Sequence, residues 1–278
     1  MQDPHPAEGR SITVTDPMDP ARAAALHATL GLDGPPPRAG DPLPPFWHWV
    51  HFWDIHPPAR LGRDGHPRPG AEGVLIPDTG LPRRMWAGGR LKWLGPLPVG
   101  APATRRSTVL GIARKQGRSG PLCFVTLRHE ITGAAGPAVI EEQDIVYRPD
   151  PQPGETPAPA RPAPTDETAA QTFHPDSTQL FRYSALTFNG HRIHYDLDYC
   201  REVEGYPGLV VHGPLMAQRL IALADRLLGG IRRFAFRAQA PVFHFESFTA
   251  CARPVGEGLG LWVRAGADGR LAMTAEAA

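Results

Sequence analysis

Between Asn189 and Leu215 the sequence gathers one amide, three histidines and the start of a helix, more chemistry than core packing alone would require. His194 is the natural proton carrier of this stretch, because an imidazole changes charge near neutral pH. Asn189 lies five residues before it in a polar, turn-prone segment, and Asp196 and Asp198 follow closely. Beyond Val211, the residues Met216, Leu220, Leu223 and Leu227 step by four, three and four, the spacing of one apolar helix face, while Gln218, Arg219, Asp225 and Arg226 fall on other faces. The pattern predicts a helix from Pro214 to Leu228. Pro214 suits its first turn, and Gly213 sits at the cap with its N–H unspoken for. A glycine there lets a ligand approach the backbone, and a helix N-terminus favours developing negative charge, so Gly213 is a candidate oxyanion donor.

These residues resemble a known family. The block from Asn189 to His194, the dipeptide His212-Gly213 and the apolar helix behind it are similar to the signature of the hydratase-2, or MaoC-like, enoyl-thioester hydratases and dehydratases. In the first half, Leu81 to Gly89, Lys115 to Gly120 and Glu141 to Arg148 look like the N-terminal dehydratase-like domain of the family's double-hot-dog members. The resemblance runs from about Leu43 onward. It implies an α+β tandem hot-dog fold, with antiparallel sheets wrapped around central helices. It also implies that His194 is the catalytic histidine and that the Gly213 N–H binds the thioester oxygen. Asn189 occupies the place of the family's usual aspartate. An amide can orient water but cannot take its proton, so His194 would transfer protons alone or with Asp196 or Asp198.

By the same resemblance the substrate is an α,β-unsaturated acyl-CoA, hydrated reversibly, and coenzyme A enters as part of the substrate with no separate cofactor. A branched C5 dicarboxylyl group, mesaconyl-C4-CoA or itaconyl-CoA giving citramalyl-CoA, is the first expectation. A 3-hydroxyacyl-thioester dehydratase or (R)-specific enoyl-CoA hydratase of fatty-acid metabolism is the alternative on the same scaffold. A thioesterase and a silent acyl-CoA-binding protein stay open, the latter because of Asn189. A homo-oligomer, such as a dimer of double hot dogs, is also implied.

Guanidinium groups suit bidentate recognition of a carboxylate or of coenzyme A phosphates, which makes Arg84, Arg90 and Arg182 candidate substrate-binding residues. His191 and His212 complete that set, His212 also as a residue that fixes the helix start. His191 and His194 have the spacing of one helix face, but no fourth ligand or conventional zinc spacing accompanies them, so no metal is expected.

The positioning elements follow from pattern. Asp16, Asp19 and Pro20 begin a short helix that Gly31 ends. Phe46 to Trp53 holds five aromatics in eight residues, predicted as a core helix or domain interface ahead of a ligand wall. Residues 61 to 89, dense in Gly and Pro, read as an ordered loop. Strands are predicted at Arg90 to Leu97, Ala103 to Lys115, Leu122 to Thr132 and Ala138 to Tyr147, and again at Arg232 to Ala240, Val242 to Arg253, Gly258 to Gly266 and Arg270 to Ala275. Helix then meander occurs twice, which predicts two repeats around two central helices. The domains expected are residues 1–148, a non-catalytic hot dog that supplies part of the substrate channel; 149–170, a Pro-rich linker; and 171–278, the catalytic hot dog.

Composition limits the remaining classes. A net charge of +1 over 278 residues leaves no electrostatic footprint for nucleic acid or a membrane surface. Cys123, Cys200 and Cys251 are odd in number and scattered, which argues for a reducing compartment and against a disulfide framework. Residues 1–10 carry neither an apolar signal core nor a transit pattern, and a cytoplasmic location is the expectation.

Overall fold

The computed structural model describes residues 5–117, 120–151 and 159–278. Arg118 and Ser119 of the Lys115–Gly120 motif, and residues 152–158 of the predicted linker, lie outside them. Among the described residues, ten strands form one antiparallel sheet: β1 Ser11–Asp16, β2 Arg83–Trp93, β3 Ala103–Gly117, β4 Gly120–Gly133, β5 Gly136–Arg148, β6 Ala169–Phe173, β7 Arg233–Ala238, β8 Phe248–Val255, β9 Gly258–Ala265 and β10 Arg270–Ala277. Their order is β1-β3-β4-β5-β2-β7-β10-β9-β8-β6. Each half therefore uses the order 1-3-4-5-2, and the two halves meet through their second strands. This is the repeat that the letters of the sequence are too diverged to display.

The junction explains one departure from expectation. Residues 61 to 89 read as an ordered loop because Gly and Pro are dense there, yet β2 begins at Arg83 and pairs with both β5 and β7. A Cβ on Gly88 would meet the Phe236 carbonyl at 2.7 Å, and one on Gly89 would meet the Phe236 ring at 2.8 Å. The glycines permit close strand approach at the seam rather than a turn. At the C-terminal end, Val242–Ser247 is irregular and β8 starts only at Phe248. The described end of the predicted linker is laid against the sheet: Ala163 N–H donates to Gly269 O and Arg161 O accepts from Leu271, so this part is not a free spacer. Strand β6 itself begins at Ala169.

Among the described residues, three α-helices complete the frame. Helix α1, Pro20–Leu30, starts at Asp19, whose carboxylate accepts from Ala21 N–H, and ends at Gly31 in the left-handed region. Helix α2, Ser177–Leu186, is capped by Asp176 and packs against α1. Helix α3, Gly213–Leu228, spans roughly 24 Å and lies across β7 to β10. Leu215, Met216, Leu220, Ile221, Leu223 and Ala224 fill the core beneath it. Contrary to expectation, Gln218 and Arg219 are buried and Leu227 is exposed. The sheet covers one side of α3, while the Tyr183 hydroxyl reaches Gln218 Oε1 at 3.1 Å and Arg219 donates to Leu30 O at 2.7 Å on the other. That second cover comes from α1 and α2, which no local pattern in α3 announces.

The expectation of two central helices is corrected. Between Leu30 and Arg83 the described chain has only 3₁₀ turns, at Trp47–Val50 and Pro58–Arg60, because Gly and Pro are too frequent for a helix like α3. The N-terminal half is thus a hot dog without its long helix, and a cavity occupies part of that space. Phe46 to Trp53 serves both predicted roles. Phe46, Trp47 and Val50 are core, whereas Trp49, Phe52 and Trp53 face the cavity. No helix of the described residues is long and apolar enough to cross a membrane.

One buried ion pair ties the halves together. Arg83 Nε donates to Glu204 Oε2 at 2.6 Å and its Nη2 to the Glu204 carbonyl, with the Tyr199 hydroxyl on Oε1. Arg83→Met leaves that carboxylate buried and unpaired, and is expected to lower unfolding free energy by about 3–5 kcal/mol in denaturant titration.

Candidate active site

The cavity, of about 530 Å³, lies between the concave face of β2 to β5, the aromatic segment and the chain leading into α3. Asn189, His191, His194 and Gly213 all line it. Their placement starts at the end of α2, where Phe188 takes a positive φ and stacks on Trp53 at 5.0 Å. Asn189 Oδ1 then accepts the His191 N–H at 3.0 Å, a side-chain turn that launches the 3₁₀ turn Arg192–His194. His194 is pinned from the far side of the loop: its Nδ1 donates to Val210 O at 2.7 Å, two residues before the His212 cap of α3. The hydrogen bond fixes the tautomer and leaves Nε2 as the acceptor.

Burial pushes the His194 pKa down to about 4, against the opposing pull of the Val210 carbonyl, so the ring is neutral at physiological pH. His66, His191 and His212 are also held well below the ordinary value, first by burial and then by their neighbours, which are Arg84 and other histidines at His66 and His191 and the histidines alone at His212. His129, on β4, is pushed down to about 4 for the same leading reason. All five take up protons more readily in the unfolded chain. Their contribution to stability is therefore complete above pH 6.5 and is lost as pH falls toward about 4. Urea midpoints measured at pH 7.5 and 4.5 are expected to show a clearly weaker fold at the lower value.

The structure separates the predicted site residues. Gly213 opens α3, and among the described residues no acceptor binds its N–H. His191 reaches the wall beside His66, ring centroids 4.6 Å apart. Arg84 also lines the cavity, where it adjoins a smaller one of about 160 Å³. His212 does not line it. It is fully buried behind His194, stacked at 3.6 Å with its Nε2 against Ser184 Oγ at 2.8 Å. Arg90 points out from β2 and is held by Glu142 and Asp144, and Arg182 stands exposed on the outer side of α2. Neither lines the cavity: the register shift in β2 between Trp86 and Gly88 reverses the faces, so that Arg90 points away although it is an even number of residues from Arg84, and Arg182 lies on the exposed face of α2. Asp196 is likewise remote, paired with Arg192 at 2.7 Å and accepting from Tyr199 N–H. Among the described residues no cluster of three or more His, Cys, Asp or Glu has the geometry of a metal site.

Sequence reasoning missed the polar groups that the N-terminal half contributes. Arg105, Ser107, His129, Glu141 and Gln143 all line the cavity from β3, β4 and β5. They occupy inward positions in strict alternation with outward ones, so a period-two reading with polar residues on the buried side would have flagged them. His48, from the aromatic segment, pairs with Glu141 at 2.8 Å across 93 residues of sequence, a juxtaposition no local pattern displays.

Comparison with known proteins bears on the family and the fold. The profile of the hydroxyacyl-thioester dehydratase type 2 family matches residues 46–244. A mesaconyl-C(4)-CoA hydratase of Chloroflexus aurantiacus is 45% identical over 268 residues, covering 96% of this chain and 94% of the relative. The crystal structure of HtdX of Mycobacterium tuberculosis superposes with a TM-score of 0.67 at 19% identity, over 96% of this chain and 99% of that one. A second M. tuberculosis protein, described as a double hot-dog fold, gives 0.57 at 17% identity, over 97% and 95%. The architecture is thus the double hot dog, and the chain belongs to the hydroxyacyl-thioester dehydratase type 2 family.

Proposed function

We propose that this hydro-lyase reversibly hydrates an α,β-unsaturated acyl-CoA, with a branched C5 dicarboxylyl-CoA of the mesaconyl-C4 type as its substrate. The observation that carries the reaction is that a neutral, oriented His194 and the Gly213 N–H, which has no acceptor among the described residues, line the same cavity. In the hydration direction, a water held by the Asn189 amide loses a proton to His194 Nε2 and adds to the β carbon. The thioester oxygen takes up negative charge against Gly213 N–H at the positive end of α3. His194 then returns the proton to the α carbon, so that one water is consumed and the imidazole ends neutral.

Residues 171–278 carry the catalytic groups in this proposal, and residues 1–148 build the wall that selects the acyl group. Arg84 remains the proposed contact for a substrate anion where the two cavities adjoin, while His212 orders the His194 ring. The C5 preference is supported by the identity to the Chloroflexus hydratase. A fatty-acyl dehydratase is the second reading, favoured by the family match and by the apolar wall of Val74, Leu75 and Ile76.

The test is turnover of mesaconyl-C4-CoA, itaconyl-CoA, crotonyl-CoA and a longer 2-enoyl-CoA, following loss of enoyl-thioester absorbance with free thiol monitored in parallel. Preference for the C5 diacids supports the proposal. Preference for crotonyl or longer chains moves the enzyme to fatty-acid chemistry, and thiol release without hydration overturns the hydratase mechanism.

A further inference from the structure

The concave face of the N-terminal sheet should be apolar if it were only core. Instead Ser107, His129 and Glu141 lie side by side across β3, β4 and β5, with Arg105 and Gln143 one inward step away. Nearly all of this group is internally satisfied. Glu141 accepts from His48 Nε2 at 2.8 Å, Trp49 Nε1 at 3.0 Å and Gln143 Nε2 at 3.0 Å. Ser107 Oγ and His129 Nδ1 are 2.7 Å apart. Because Glu141 already has three donors, it does not need Arg105.

Arg105 is the exception. Its Nε is buried with no hydrogen-bond partner among the described residues, and its guanidinium lies 5.8 Å from the centroid of the Phe52 ring. Burial depresses its pKa, partly offset by Glu141, Asp54 and Asp16. A guanidinium left this way on a cavity wall is costly unless something fills its donors. An alkyl chain would add to the cost. A carboxylate would remove it, through the paired N–H geometry that only arginine offers.

We infer that Arg105 is the specificity-determining residue of the cavity, binding the free carboxylate of a dicarboxylyl thioester while the thioester end meets Gly213. The inference rests on the hydratase reading above and assigns its selectivity to a residue of the half without the catalytic histidine. In mesaconyl-C4-CoA the carboxylate is carried by the β carbon, so the same contact would hold that carbon in register with the attacking water.

The experiment compares mesaconyl-C4-CoA with crotonyl-CoA in the wild type, Arg105→Met and Arg105→Lys, with melting temperature as the control for folding. Both substrates carry the same coenzyme A phosphates, so only the acyl carboxylate distinguishes them. Arg105→Met is expected to lower kcat/KM for mesaconyl-C4-CoA by about 10²–10³-fold, chiefly through KM, and to leave crotonyl-CoA within about threefold. Arg105→Lys keeps the charge without the fork, and is expected to recover part of the loss. Should Arg105→Met not fold, Arg105→Lys alone decides, since a selective loss for the diacid supports the contact and equal behaviour of both substrates overturns it. An equal fall for both substrates in a folded variant would mean a phosphate or structural role, and no change would mean no contact. Either overturns the inference while leaving the hydratase reading intact. A wild type that hydrates crotonyl-CoA but not mesaconyl-C4-CoA overturns the C5 reading, and the inference with it.

Discussion

His194→Ala is expected to lower kcat by about 10²–10⁴-fold, the range for losing a positioned general base, while butyryl-CoA, a saturated thioester that cannot react, still binds. The reason is the economy of the site. Asn189 spends its carbonyl on the His191 N–H, and Asp196 is committed to Arg192 and Tyr199 away from the cavity. His194 is the group of this stretch that we propose carries a proton between water and the α carbon. Calorimetric titration with butyryl-CoA separates this from a binding protein. Retained turnover in the variant would remove His194 from the mechanism, and lost binding would make its role structural. Introducing the family's usual acid, Asn189→Asp, is a milder companion change that keeps the side-chain turn.

Gly213→Ala is expected to cost on the order of 10²–10³-fold in kcat, the scale of losing one oxyanion donor. A Cβ at this position would stand 2.8 Å from Trp86 Cε3 and 3.3 Å from Cζ3. Trp86 cannot simply withdraw, since it packs at 4.2 Å against Phe236 and 5.5 Å against Trp49. The first turn of α3 or the indole must therefore shift, and either movement misplaces the N–H relative to the thioester oxygen. Steady-state kinetics should show the loss in kcat more than in KM, with the melting temperature close to wild type. Unchanged kcat in a folded variant would exclude the Gly213 N–H as the oxyanion donor.

Much of the site was legible because its parts are local. The Asn189–His194 spacing, the His212-Gly213-Pro214 helix start and the apolar face of α3 are each encoded within a few residues, and Asn189, His194 and Gly213 line the same cavity. The arginines were less legible. Arg84, Arg90 and Arg182 are alike as letters, but β2 points Arg84 inward and Arg90 outward, and α2 leaves Arg182 in solvent. Arg105 was passed over altogether, since a charge inside a strand reads as solvated until the sheet's concave side is known.

The amino-acid sequence by itself determined the start of α3, most of the strand segments and the family, all of which depend on neighbours a few positions apart. Tertiary structure decided the rest. The pairing of β2 with β7, the missing central helix of the first half and the His48–Glu141 contact depend on which distant surfaces exclude water together. Periodicity reports one face of an element, and the partner buried against that face is chosen by the whole chain.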